Sequence, residues 1–112
     1  MVYNMKLQHA PFLLIKSGQK TIEMRLYDDK RKLLKVGDMV EFTDIITQET
    51  LVCEVINLYI YATFDELYQN HDKISIGYME NEVADAKDML AYYAQEEIAK
   101  HGVVGIEVKI QG

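Results

Sequence analysis

Apolar and polar residues alternate strictly from Thr21 to Tyr27, with Ile22, Met24 and Leu26 on one side and Thr21, Glu23, Arg25 and Tyr27 on the other. A period of two is the signature of a β-strand with two unlike faces. A face carrying an acid, a guanidinium and two hydroxyls is expected to meet water or a ligand. The same reading along the rest of the chain predicts a strand over 3–7 and a helix over about 10–17. Pro11 is tolerated in the first turn of that helix, and Gly18 stands just past its end. A charged loop over 28–36 leads to a strand at about 38–46, and the polar turn Thr47–Thr50 to a long strand over 51–61, rich in β-branched and aromatic residues. Thr63 and Glu66 form a capping box for a short helix ending near Gln69. A longer helix is predicted over about 82–100, with Val83, Ala86, Leu90, Tyr93 and Ala94 on one stripe and Gly102 beyond its end. Residues 103–110 make the last strand. The order β-α-β-β-β-α-α-β, with mostly sequential strands, predicts an α+β fold: a small mixed β-barrel flanked by helices.

At 112 residues the chain reads as a single domain over 1–112, large enough to bury roughly 65% of its unfolded surface without disulfides or metal. No run approaches the ~20 apolar residues of a membrane span, and the start lacks the layout of a signal peptide. The lone cysteine, Cys53, sits in the strand Leu51–Val55 and is expected to be a buried thiol. The cytoplasm is the expected compartment. His9, His71 and His101 are scattered without metal-ligand spacing, so neither a metal nor a cofactor is expected.

Charge divides the chain. The net charge is −6, yet residues 1–35 hold eight basic against three acidic side chains, and residues 36–112 four against fifteen. Lys30, Arg31, Lys32 and Lys35 read equally as a solvated loop or as a local positive patch bordering the alternating strand. The acidic remainder keeps affinity for long duplexes low, because that affinity rests on phosphate neutralisation. A small or single-stranded target fits better.

The segment Gly18-Gln19-Lys20-Thr21-Ile22-Glu23-Met24-Arg25, followed by Val36-Gly37-Asp38, resembles the ASCH domain, a relative of the PUA domains that bind RNA. Gly18, Lys20, Glu23 and Arg25 match the motif position by position, and Gly102–Val108 resembles the family's last strand. The resemblance implies the PUA-like barrel and an RNA or nucleotide-like ligand. One branch of that family removes the acetyl group from modified cytidine with a motif lysine, a threonine and a distant glutamate. Lys20 matches the lysine. The threonine position is Glu23 here, although Thr21 is adjacent, and Glu80 is the nearest counterpart of the glutamate.

Three readings result. In the first, a cleft at the 18–25 turn and strand binds RNA or a nucleotide through Lys16, Gly18, Lys20, Glu23, Arg25 and Tyr27. Arginine offers a rigid donor fork for phosphate or base acceptors, and a carboxylate can accept from an exocyclic amine. Strict alternation would put Lys20 on the apolar face, so it must precede the strand or enter the barrel mouth. In the second, Lys20, Thr21, Glu23 and Glu80 form an amidohydrolase site. A lysine nucleophile must lose its proton, however, and a neighbouring carboxylate favours the ammonium. In the third, a protein partner docks on the acidic side of the 82–100 helix, formed by Asp85, Asp88 and Glu96. Of the eight tyrosines, one or two are candidates to stack on a base.

Overall fold

A computed structural model of the chain describes residues 2–111; Met1 and Gly112 lie outside the described residues. The elements follow the predicted order: β1 (Val2–Leu7), α1 (His9–Lys16), β2 (Ile22–Leu26), β3 (Met39–Asp44), β4 (Thr50–Tyr61), α2 (Phe64–Asn70), α3 (Gln95–His101) and β5 (Val103–Ile110). Two short 3-10 elements, Arg31–Leu33 and Ala86–Ala91, lie between them. The strands form one curled sheet in the order β1-β3-β4-β5-β2, a half-barrel of the PUA-like kind. Among the described residues only β1 and β3 pair in parallel. Thr63 caps α2 through its hydroxyl, as the capping box predicts.

Two cores lie on opposite faces of the sheet. Inside the curl, Met5, Leu7, Val40, Phe42, Cys53, Val55, Val104, Ile106 and Val108 pack with Phe12 and Ile15 of α1. Each such side chain contributes roughly 1.5–3 kcal/mol of burial. Outside the curl, Ile22, Met24 and Leu26 pack under Phe64, Leu67, Met89 and Ile98. The apolar face of β2 is therefore covered by helices. Its other face looks into the barrel, because Glu23 and Arg25 pair with Ile106 and Val104 of the inner face of β5.

The helix expected over 82–100 does not form as one element. Asp85 caps a 3-10 helix through the Lys87 N–H, Tyr92–Ala94 are irregular, and α3 starts afresh from the extended Ala94. The expected stripe dissolves with it: Val83 is 87% exposed and Leu90 49%, while Met89 takes the core position. A straight helix over that stretch would run roughly 28 Å and offer one narrow stripe. Two short pieces bent around the sheet bury Met89 and Ile98 and stack Tyr93 on Phe64 with ring centroids 6.0 Å apart. Tertiary packing outweighs the local helical pattern.

Candidate functional site

The site begins where α1 ends. Gly18 adopts φ +85°, its N–H returns to the Ile15 carbonyl, and the Lys20 N–H reaches the Leu14 carbonyl. This glycine-terminated cap turns the chain so that Lys20 precedes β2 and its side chain enters the barrel mouth. Lys20 is only 7% exposed and Glu23 5%. Lys20 Nζ donates to Glu23 Oε1 at 2.8 Å, and Arg25 Nε donates to Glu23 Oε2 at 2.7 Å. Burial opposes ionisation of Glu23, but the adjacent charges of Lys20 and Arg25, with the hydrogen bonds they donate, hold its carboxyl below the ordinary value. The array thus carries two cations and one anion.

Arg25 also spans the opening of the half-barrel. Strands β1 and β2 are the two edges of the sheet and run antiparallel across the gap between them. Arg25 Nη2 bridges that gap, donating to the Lys6 carbonyl of β1 at 2.9 Å. A cleft of about 1240 Å³ opens there, with Lys20, Glu23 and Arg25 on its floor. Leu13, Leu14 and Pro11 of α1 form one wall. Ile76, Tyr78, Met89 and Tyr93 form the other.

That second wall belongs to the long segment between α2 and α3. It is anchored to β2 where the Ser75 carbonyl accepts the N–H groups of both Thr21 and Ile22. Tyr78 ties it together, its hydroxyl donating to Asp88 Oδ2 at 2.7 Å and lying 2.8 Å from the Tyr68 hydroxyl. Burial and these partners push the Tyr78 hydroxyl well above the ordinary tyrosine value, so it stays protonated. Gly77, at φ +113°, leaves room for the Lys20 side chain, since a Cβ there would sit 3.1 Å from Lys20 Cδ.

The other candidate residues fall elsewhere. Lys16 pairs with Glu49 on the surface, and Tyr27 packs against the inner core with Lys32 over its ring. Thr21 lines a smaller cavity of about 340 Å³, which Lys20 and Gly18 also border. Glu80 is exposed and outside the cleft lining; its carbonyl accepts from Lys73 Nζ. The acidic side expected of the 82–100 helix is not a continuous face. Asp85 serves as a cap and Asp88 as the partner of Tyr78. No group of three or more His, Cys, Asp and Glu side chains among the described residues is placed to hold a metal. Nor is any helix there long and apolar enough to cross a membrane.

The signature of the ASCH domain matches residues 5–111. This chain belongs to the ASCH domain family. The ASCH domain described here is similar, over 99% of its length and 100% of the other's, to the crystal structure of hypothetical protein PH0355, with 30% identity and a TM-score of 0.84. It is also similar to the solution structure of protein PF0455 from Pyrococcus furiosus, with 31% identity, a TM-score of 0.70, and coverage of 98% of this chain and 97% of that one. No curated protein matches it. Sequence reasoning missed Tyr68, Tyr78 and Asp88 as wall residues of this ASCH domain. Tyr68 lies in α2, Tyr78 in an irregular stretch and Asp88 in a short 3-10 element, and no local pattern says which of these side chains faces the cleft.

Proposed function

We propose that this ASCH domain is an RNA- or nucleotide-binding module, its ligand seated in the cleft over Lys20, Glu23 and Arg25. The observation that carries this is the buried array on the cleft floor. Glu23 holds both cations in fixed positions, and each keeps donor capacity. Lys20 uses one of three N–H groups within the array, and Arg25 uses Nε and Nη2, leaving Nη1. A cation pair preorganised in this way is suited to a phosphate or to the acceptor edge of a base. Tyr93, Tyr78 and Met89 give the wall an apolar, aromatic surface of the kind on which bases stack. Replacing Arg25 by alanine leaves Glu23 paired with Lys20, so the fold should survive. The variant should weaken nucleotide binding by about 1–3 kcal/mol in a calorimetric titration. Undiminished affinity would remove Arg25 from the site.

One observation favours a second reading. Lys20, the counterpart of a deacetylase lysine, does lie on the cleft floor. Against it, its Nζ donates to a carboxylate, Thr21 is absent from the cleft lining although it shares a smaller cavity with Lys20, and Glu80 lies outside that lining. Purified protein is therefore expected to release no acetate from acetylated cytidine. Release that disappears in Lys20→Ala would make the domain an enzyme.

A further inference from the structure

The seam between β1 and β2 does not end at Arg25. Because the two edge strands are antiparallel across it, moving from Lys6 towards Tyr3 on β1 corresponds to moving from Arg25 towards Tyr27 and Asp28 past β2. At that far end the 28–36 loop folds over the seam, and the Tyr3 hydroxyl donates to the Leu33 carbonyl at 3.3 Å. Asp28 shapes the loop: Oδ1 accepts the Arg31 N–H and Oδ2 accepts Arg31 Nη1, both at 3.0 Å. Arg31 is thereby held with its Nε buried and without a hydrogen-bond partner, the sole such side-chain nitrogen or oxygen among the described residues. The Arg31 side chain is 18% exposed and that of Asp28 28%, so the pair reaches the surface.

Around Arg31 the loop exposes Lys30, Lys32 and Lys35, none in an ion pair among the described residues. Lys32 lies 5.6 Å from the centre of the Tyr27 ring. Asp28, which holds Arg31, follows Arg25 of the cleft floor by three residues along the chain, so the loop starts just past that floor.

We propose that Arg31, with Lys30, Lys32 and Lys35, forms a second anion subsite that takes the next phosphates of a single-stranded nucleic acid leaving the cleft past Arg25. The physiological ligand is then a single strand of several nucleotides and not a free nucleotide. This rests on the cleft reading above. The cleft itself supports an extended ligand, since about 1240 Å³ exceeds the ~300–1,000 Å³ typical of sites that enclose one small molecule.

The experiment compares a nucleoside monophosphate with a mixed-sequence RNA hexamer, titrated into the whole protein at several salt concentrations. The hexamer should bind at least tenfold tighter than the monophosphate at low salt. That gain should be lost in Arg31→Gln and reduced in a Lys30→Gln, Lys32→Gln, Lys35→Gln variant, whose exposed positions do not bear on folding. The logarithmic salt slope should fall by roughly 0.7 for each phosphate contact removed. A hexamer that binds no tighter than the monophosphate, or keeps its advantage in both variants, overturns the subsite. In that outcome monophosphate binding sensitive to Arg25→Ala leaves the cleft reading standing. Binding of neither ligand overturns both.

Discussion

At the scale of single residues, the determining fact is that Glu23 is buried between two cations. Removing one partner of a buried ion pair commonly costs about 3–5 kcal/mol, because the other charge is left uncompensated. Glu23→Ala should therefore destabilise the domain by several kcal/mol in denaturant unfolding, far more than Arg25→Ala, which leaves one cation on the carboxylate. Acid should act through the same group and through Asp44. Asp44 is buried at the end of β3, where its carboxylate accepts from the Ile46 and Thr47 N–H groups and lies 2.6 Å from His9 Nδ1. Burial opposes its charge, and the hydrogen bonds from His9 and the turn outweigh that, bringing the pKa from 3.8 down to about 2. A carboxyl lowered in the folded state contributes stability that is present above its unfolded pKa and lost as pH falls through the folded value. Melting temperature should thus drop between pH 4 and 2, and the drop should be smaller in Asp44→Asn. An unchanged profile in that variant would exclude Asp44 as a source. Cys53 presents the opposite case. Burial pushes its thiol up to about 11 and no solvent reaches it, so native protein should resist iodoacetamide near neutral pH and label fully once unfolded.

At the scale of elements, the segment between α2 and α3 leans on side-chain bonds as well as on its backbone anchor to β2. With little regular structure, it is held over the cleft by the Tyr78 hydroxyl and by Lys73, which donates to the carbonyls of Glu80 and Glu82. Tyr78→Phe removes the hydroxyl and should cost about 1 kcal/mol. Hydrogen exchange should quicken over 85–92 while β4 and β5, the most extensively paired strands, stay protected. Gly77→Ala has a different signature. It strains a positive-φ position and crowds Lys20, so stability and ligand affinity should fall together.

At the scale of the whole molecule, an open half-barrel leaves one seam, and charge is distributed about it. The motif lysine and arginine lie on the floor and the basic loop covers the far end, although the chain as a whole carries −6. The acidic remainder repels long polyanions, so duplex DNA should bind more weakly than single-stranded RNA, and any binding should fall steeply with salt. Parallel titrations of both at two salt concentrations would check this; equal affinity would place the contact outside the seam.

The sequence by itself determined the element order, the strand bounds to within a residue or two, the α1–Gly18 turn and the family motif. These follow from period-two alternation, caps and glycine placement, which are local in the chain. Tertiary structure alone decided which face of β2 is which. Alternation shows that the two faces differ, but only pairing with β5 turns Glu23 and Arg25 into the barrel and sends Ile22, Met24 and Leu26 under the helices. It also decided the fate of 82–100, where periodicity promised one helix and the curvature of the sheet imposed two pieces. The cleft wall of Tyr78, Met89 and Tyr93, and the approach of Arg31 to the seam, likewise arise from contacts distant in sequence, which no local pattern encodes.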